Sequence, residues 1–265
     1  TNENPSCLIE MIKSLQNFWR IKMVIEYREY KMKLGNLHRF YQAQINRGFD
    51  GKMAPIMRDS LLGYFSSISG ESENLIHLYS LKDLEHWRNI YNNIYEEPEL
   101  QTYFESVRKL ISTQENKFLI PAPIQSISPL FNEDNIWTRD NPPLCDIAEY
   151  PHMVIEQQTI SLMPGGLSKY WEAYESCAIN AVSPIEKNWI GCFYTLIGQL
   201  HEINNFWFFN DHYDRDRRQH AVTMNPKWTE FIDLIRPIVT SQKSHFFTPA
   251  PIKEMCPLFY INANA

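Results

Sequence analysis

Hydrophobic and polar residues alternate along two stretches of the chain, residues 24–32 and 154–162. Such a period of two predicts half-buried β-strands. Elsewhere the hydrophobic residues recur every third or fourth position, which is typical of a helix face. The clearest case runs from Leu100 through Tyr103, Phe104 and Val107, and the positions 128 residues later are again hydrophobic. The pattern predicts the order strand–helix–strand–strand–helix–strand, twice over.

The repeat is also visible in the residues themselves. The segment Phe118-Leu-Ile-Pro-Ala-Pro-Ile returns as Phe246-Phe-Thr-Pro-Ala-Pro-Ile, and Gly63-Tyr-Phe returns as Gly191-Cys-Phe. We therefore predict two units, residues 24–131 and 153–260, joined by a polar, proline-rich linker over 132–152. The Pro-Ala-Pro stretch that closes each unit is expected to be an edge strand, because proline has no N–H to donate.

This element order is the α+β split pattern of ferredoxin-like domains. Each sheet then has helices on one face only, and its other face needs a partner. The sheet of the second unit is the obvious partner.

Before the first unit, residues 1–23 contain a predicted amphipathic helix over 8–20, with Leu8, Ile12, Leu15 and Trp19 on one face. We expect this face to pack on the body of the protein or on a second chain.

Composition and charge narrow the class of protein. Hydrophobic residues make up 44% of the 265 residues and the net charge is −6, which excludes a disordered chain and argues against nucleic acid as a partner. No apolar run is long enough to predict a membrane span. Five scattered cysteines without a CxxC motif indicate reduced thiols and a cytoplasmic location, although the first residue is not Met and a removed targeting peptide stays open. Aromatic residues reach 14%, which suits an aromatic-lined cavity, a large interface or simply a Phe-rich core.

One group of polar residues combines the types needed for chemistry on a small molecule. Alternation places Glu26, Arg28 and Tyr30 on one face of the first strand, and the topology puts His77 and Tyr79 on the neighbouring third strand. Together they could bind an oxyanion and move a proton. The competing interpretation is a structural Glu–Arg ion pair with tyrosines packed around it.

The motifs in their order resemble the NIPSNAP family. The resemblance rests on Glu26-x-Arg-x-Tyr30 with the turn at Gly35, on His77-Leu-Tyr79 followed by Asp83-Leu84, on Met163-Pro-Gly-Gly166 and Asn225-Pro-Lys-Trp228 and on the closing Pro249-Ala-Pro251. It implies a dimeric α+β barrel, here formed within one chain. Relatives on that fold include cofactor-free monooxygenases, haem enzymes and small isomerases or cyclases.

The two units differ in sequence at the positions of these polar residues. Glu26, Arg28 and Tyr30 align with Glu156, Gln158 and Ile160. We align His77 and Tyr79 with Phe206 and Phe208, at an offset of 129, and Trp87 with Asp216. A site is therefore predicted in the first unit only. Its expected roles are Arg28 for the oxyanion, His77 as general base and Tyr30 as hydrogen-bond donor, with Glu26, Tyr79, Trp87 and Trp207 around the substrate.

Two functional hypotheses remain open at this point. The first is an enzyme without an organic cofactor, an oxygenase, isomerase or cyclase acting on a small apolar or aromatic molecule. The second is a non-catalytic binding or adaptor protein; a homo-oligomer is left open in both.

Asp211, His212, Asp214 and His220 suggest a metal site, but their spacing matches no firm motif, so neither metal nor haem is predicted. A closed cavity of a few hundred Å³ at Arg28 and His77 would favour the enzyme, and a filled barrel the adaptor.

Overall fold

A computed structural model describes residues 23–132 and 135–260. The predicted helix over residues 8–20 lies outside them. Eight antiparallel strands form one closed barrel in the order β1-β3-β2-β8-β5-β7-β6-β4. The strands are β1 Val24–Met32, β2 Leu61–Ser67, β3 Asn74–Leu81, β4 Ile111–Pro121, β5 Val154–Leu162, β6 Trp189–Ile197, β7 Glu202–Phe209 and β8 Val239–Pro249. Each unit contributes four neighbouring strands, so the predicted intramolecular α+β barrel is confirmed.

Helices cover the outside of the barrel. They are α1 Leu37–Arg47, α2 Ala54–Met57, α3 Leu84–Tyr95, α4 Pro98–Arg108, α5 Gly166–Ser176, α6 His212–Thr223 and α7 Pro226–Ile235. In each unit the connection from the third to the fourth strand holds two helices where the hydrophobic pattern indicated one. Pro98 and Pro226 each start the second helix of the pair, because proline fits the first helical turn but not a helix interior. No helix in the described part of the chain is long and apolar enough to cross a membrane.

The barrel interior is filled by aromatic side chains. Phe65, Phe193, Phe206 and Phe247 are all at most 1% exposed, and they belong to one cluster that also contains Phe131 and Phe259 from the segments after β4 and β8. Tyr27 reaches the same cluster from β1. Because side chains alternate along a strand, the neighbours of these residues point outward to the helices. Any site on the first strand must therefore lie either inside this filled barrel or between sheet and helices.

The Pro-Ala-Pro stretches do not lie at a free edge as expected. Pro121 pairs with Phe193 of β6, and Pro249 pairs with Phe65 of β2, so these strand ends form the two seams between the units. The hydrogen bonding between the strands continues beyond each proline, because the backbone N–H of the following alanine donates to the neighbouring strand. Ala122 N donates to Cys192 O and Ala250 N donates to Tyr64 O, both at 2.8 Å. Proline is tolerated because it stands at the strand end, where the following alanine carries the hydrogen bond.

The repeated Gly-x-Phe motif has a steric cause. A Cβ on Gly63 would lie 2.6 Å from the ring of Phe65, and one on Gly191 would lie 2.5 Å from the ring of Phe193. The backbone register shifts next to both glycines, between Leu61 and Gly63 and between Trp189 and Gly191. Each glycine thus lets the phenylalanine ring fold back over its own strand and fill the barrel.

The variant Gly191→Ala should therefore lose stability. The new methyl group has to displace a fully buried ring, and such overpacking costs about 1–3 kcal/mol. Urea unfolding at neutral pH measures the loss. Gly166→Ala is the comparison variant, since its Cβ would approach Leu162 Cβ to 3.1 Å, a smaller overlap than the 2.5 Å at Gly191, and its loss of stability should be smaller. Equal stability of Gly191→Ala and the wild type would contradict this explanation of the motif.

Candidate active site between the first sheet and its helices

A buried glutamate organises the first unit's outer sheet face. Glu26 is fully buried, and burying a carboxylate without partners is costly. Arg28 Nε donates to Glu26 Oε1 at 2.8 Å, and Tyr91 OH donates to Oε2 at 3.1 Å. Asn116 Nδ2 adds a third contact at 3.3 Å. The ion pair expected from the first strand is thus present, and it fixes the position of the Arg28 side chain.

Aromatic rings enclose the Arg28 guanidinium. Its Cζ lies 4.4 Å from the centroid of Tyr91 and 5.8 Å from that of Tyr79, and Nη1 donates to Tyr30 OH at 3.2 Å. Burial alone would lower the pKa of Arg28, but Tyr91, Tyr30 and Glu26 outweigh it and hold that pKa well above the ordinary value. The guanidinium is therefore positively charged at neutral pH.

His77 lies beside this arginine, as the strand pairing requires. Arg28 and His77 are direct partners in the β1–β3 ladder. The imidazole stacks on Tyr64 with centroids 4.3 Å apart and meets the edge of Tyr30 at 4.5 Å. Its Nδ1 is 2.7 Å from Tyr79 OH, whereas its buried Nε2 has no hydrogen-bond partner. Burial, and secondarily the charge of Arg28, lower the pKa of His77 well below its usual range, so the ring is neutral at neutral pH.

The tyrosines set which nitrogen of His77 is free to act. Tyr64 OH and Tyr79 OH are 2.8 Å apart, so a hydrogen-bonded chain runs from Tyr64 through Tyr79 to His77 Nδ1. Burial raises the pKa of both tyrosines, which keeps their phenols protonated. When Nδ1 carries the proton and donates it to Tyr79 OH, the lone pair of Nε2 is left unpaired. The alternative tautomer makes Nε2 a donor.

These residues surround a cavity of about 80 Å³ between the sheet and helices α1, α3 and α4. Arg28, Tyr30, His77 and Tyr79 all line it, so the structure brings together four of the residues singled out in the sequence. The volume is below the few hundred Å³ that we set as favouring an enzyme, and it suits a small group rather than a large aromatic ring. Further polar lining residues that the sequence reasoning missed are Gln44, Arg47, Tyr64, Tyr91, Tyr95, Tyr103, Arg108 and Gln114.

A second groove is larger but chemically simpler. It measures about 420 Å³ and lies at the start of β1, between Leu61, Leu81 and Trp137. Its titratable lining residues are Asp59, Lys82 and His86, and none of them is buried. Buried, mutually positioned polar groups are more typical of a catalytic site than volume alone. The smaller cavity is therefore the better candidate.

Three of the expected substrate-contacting residues do not line this cavity. Glu26 lies behind Arg28 and acts through it. Trp87 packs on Tyr91 and Phe118, with ring centroids 5.3 and 5.4 Å apart. Trp207 belongs to the core of the second unit, where its ring is 4.5 Å from that of Trp189. Trp207 is far from the first-unit cavity because it lies on β7 and its side chain faces the helices of the second unit.

The strand ladders correct our alignment of the two units. Arg28 pairs with His77, and Gln158 pairs with Asn205, so the counterpart of His77 is Asn205 and not Phe206. Phe206 points into the barrel. The caps of α3 and α6, Asp83 and Asp211, are 128 residues apart, which places Arg215 and not Asp216 opposite Trp87. The offset of 129 was wrong by one residue in both places.

With this register the second unit has a different ion pair and a different pocket. Glu156 is fully buried and is bound by Arg215 through Nη2 at 2.7 Å and Nε at 2.9 Å. The Arg215 guanidinium lies over the Phe246 ring at 5.3 Å, at the place where Trp87 and Phe118 make an edge-to-face contact in the first unit. The counterparts of Tyr64 and Tyr79 are Cys192 and Trp207, which join a hydrophobic core. The histidine–tyrosine chain is therefore a feature of the first unit.

The acidic residues at the start of α6 have structural partners. Asp211 caps the helix by accepting from Asp214 N at 2.7 Å, and Asp214 binds Arg217 and Arg218 at 2.7 and 2.8 Å. These contacts explain the run of charges as a helix start. In the described part of the chain, no three His, Cys, Asp or Glu side chains come together as a metal site.

The barrel of two ferredoxin-like units, with a polar cavity under the helices of one unit, defines the chain as a fused α+β barrel protein. The NIPSNAP family model matches residues 25–126 and 155–253. These spans cover most of the chain, one in each unit, and the chain belongs to the NIPSNAP family.

Solved structures of two proposed monooxygenases share the barrel at low sequence identity. A proposed monooxygenase from Lactobacillus acidophilus is 10% identical, with 86% of this chain and 94% of that chain covered and a TM-score of 0.54. A proposed monooxygenase from Fusobacterium nucleatum is 7% identical, with 86% and 92% covered and a TM-score of 0.54. A NIPSNAP-like domain protein from Burkholderia xenovorans is 28% identical, with 38% and 88% covered and a TM-score of 0.36. No curated protein sequence matches the chain.

The lowered pKa of His77 predicts a specific pH dependence of stability. In the unfolded chain the imidazole takes up a proton as the pH falls below about 6.5, whereas in the folded protein it stays neutral to a lower pH. Acid therefore favours the unfolded state, and His77 should remove up to about 1.4 kcal/mol of unfolding free energy per pH unit in that interval. Urea unfolding of the wild type and of His77→Asn at pH 8, 7, 6 and 5 measures this. Below pH 6.5 the unfolding free energy of the variant should fall less steeply with decreasing pH than that of the wild type. Parallel curves of unfolding free energy against pH would contradict a buried, neutral His77.

Proposed function

We propose that the protein is a small-molecule enzyme that moves a proton next to a carbonyl group bound in the first-unit cavity, without an organic cofactor. The observation that carries this proposal is the unpartnered Nε2 of a fully buried histidine beside a permanently charged arginine. A buried ring nitrogen without a hydrogen bond is costly to maintain and uncommon in proteins. A ligand that supplies the missing contact accounts for it.

The chemistry follows from the order of the groups. His77 Nε2 takes a proton from the carbon next to the carbonyl, and the electron pair of the C–H bond moves onto the carbonyl oxygen. Arg28 and the Tyr30 hydroxyl stabilise the resulting enolate oxygen. When a C=C bond is conjugated with the enolate, return of the proton to the far carbon of that dienolate moves the double bond and completes an isomerisation. In an oxygenase the same carbanion would instead form a C–O bond with dioxygen as co-substrate, so that the carbon is oxidised and dioxygen is reduced to a hydroperoxide that takes up the proton from His77.

The low pKa of His77 limits how strong a base it is. The environment that keeps the imidazole neutral also makes its conjugate acid a ready proton donor. Such a group suits a substrate whose enolate is already well stabilised, and the adjacent guanidinium provides this stabilisation. The chain from His77 Nδ1 to Tyr79 and Tyr64 holds the ring in one orientation during the transfer.

A non-catalytic binding or adaptor protein is the second candidate, and the aromatic filling of the barrel favours it. The cavity is also small. In that case the Glu26–Arg28 pair and the tyrosines would form a structural network, and the outer surface would carry the function.

Deuterium exchange distinguishes the two candidates without knowledge of the natural substrate. Wild-type protein in D2O should accelerate exchange of the methyl protons of acetone or pyruvate, followed by proton NMR. His77→Asn introduces the residue that the second unit has at this place, and it should lower the catalysed rate about 10²- to 10⁴-fold. Arg28→Gln should lower the rate as well.

His38→Asn is the matched control, since it makes the same replacement at an exposed position of α1. It should retain the wild-type rate. Exchange no faster than in buffer with either probe, or a His77→Asn rate equal to that of the wild type, would refute the enzymatic proposal and favour the adaptor.

A further inference from the structure

The cavity carries an excess of positive charge inside an acidic protein. Three arginines line it, Arg28, Arg47 and Arg108, and none of the described lining residues is Asp or Glu. The whole chain has a net charge of −6. Glu26 neutralises Arg28 from behind at 2.8 Å. Among the described residues, no carboxylate forms an ion pair with either of the other two arginines. The cavity is therefore positively charged although the whole chain is acidic.

Arg47 is the informative residue of the three. It ends α1, and its Nε donates to Gly48 O at 2.9 Å. Its Cζ lies over the ring of Tyr103 at 4.8 Å, and its Nη2 is buried without a hydrogen-bond partner. The partial negative charge of a helix end offsets only part of a full positive charge. In the described part of the chain no carboxylate forms an ion pair with this guanidinium.

The neighbouring tyrosine does not neutralise Arg47 either. Burial outweighs the opposing effect of Arg47 and raises the pKa of Tyr103 to about 12. Its phenol is therefore protonated at neutral pH. A partly buried guanidinium with an unused N–H and an aromatic floor is the arrangement by which proteins bind a planar oxyanion.

We infer that the cavity takes a small carboxylate, whose anionic group binds Arg47 while its carbonyl end lies at His77 and Arg28. This inference rests on the proposed function, because it names the substrate class for the same site. The volume of about 80 Å³ corresponds to roughly two or three water molecules and accommodates a short acid more readily than a phosphate ester. Exposed Arg108 adds attraction for anions at the same cavity.

Equilibrium binding tests the inference without any turnover. Acetate and acetamide have nearly the same shape and differ in charge, and both are titrated by calorimetry at constant ionic strength set with sodium chloride. Acetate should bind at least 10-fold more tightly than acetamide. Arg47→Gln should weaken acetate binding about 10- to 100-fold, as expected for loss of a charge-assisted contact.

The controls separate this site from general charge effects and from catalysis. Arg236→Gln removes the same charge at an exposed position of the second unit, paired with Asp233, and should bind acetate like the wild type. Acetate binding is measured without any turnover, so a failure of the proposed reaction does not remove the binding result. Thermal unfolding of each variant at pH 8 verifies that it is folded.

Three results would overturn the inference. Equal affinities for acetate and acetamide would show that charge is not recognised. Unchanged acetate binding in Arg47→Gln, with loss in Arg28→Gln, would place the anion at Arg28. Tight binding of inorganic phosphate with no binding of acetate would identify a different class of anion.

Discussion

Two buried glutamates, one in each unit, impose a requirement that the surrounding structure has to meet. Glu26 and Glu156 occupy equivalent places on the first strand of their units, and both are fully buried. An unpaired carboxylate at such a place would cost several kcal/mol, so each needs a cation with good geometry. The first unit meets this need from within the strand, through Arg28, and the second meets it from a helix, through Arg215. The choice of cation decides what else each unit can contain.

In the second unit the Glu156–Arg215 pair connects the sheet to α6, and the space around it is filled by a hydrophobic core. In the first unit Trp87 occupies the helix position that Arg215 has in the second. The cation of the first unit is Arg28, which lies on the sheet beside His77. The same buried carboxylate is thus neutralised in both units, but only the first arrangement leaves a charged group facing a cavity. Phenylalanines pack inside the barrel, and the cavity of the first unit lies instead between the sheet and the helices.

Much of the fold follows from the sequence, because period-two alternation and the repeat are properties of single strands and of the chain order. The first strand of each unit was predicted with the bounds that the structure has, 24–32 and 154–162. Four cavity residues could be predicted because β1 and β3 are adjacent strands. They are Arg28, Tyr30, His77 and Tyr79. The cavity's helix residues, Arg47, Tyr91 and Tyr103, could not be found this way, since the packing of α1, α3 and α4 on the sheet depends on three-dimensional contacts. Tyr91 and Tyr95 are four residues apart, which is a helical spacing, but that pattern equally indicates an ordinary aromatic core.

The misalignment of His77 with Phe206 shows how a single residue changes the functional interpretation of a duplicated chain. A shift by one along a strand exchanges the two faces of the sheet. Phe206 fills the barrel, whereas Asn205, its neighbour, stands where the first unit has its histidine. Similarity of residue type favoured the wrong match, because Phe206-x-Phe208 looks like a hydrophobic version of His77-x-Tyr79. The ladder to the first strand gives the right one. The second unit therefore retains a polar side chain at this position, and Asn205 donates a hydrogen bond to Gln158 at 3.3 Å. The exchange of His for Asn, with Tyr64 and Tyr79 replaced by Cys and Trp, is what distinguishes the proposed site of the first unit from its counterpart in the second.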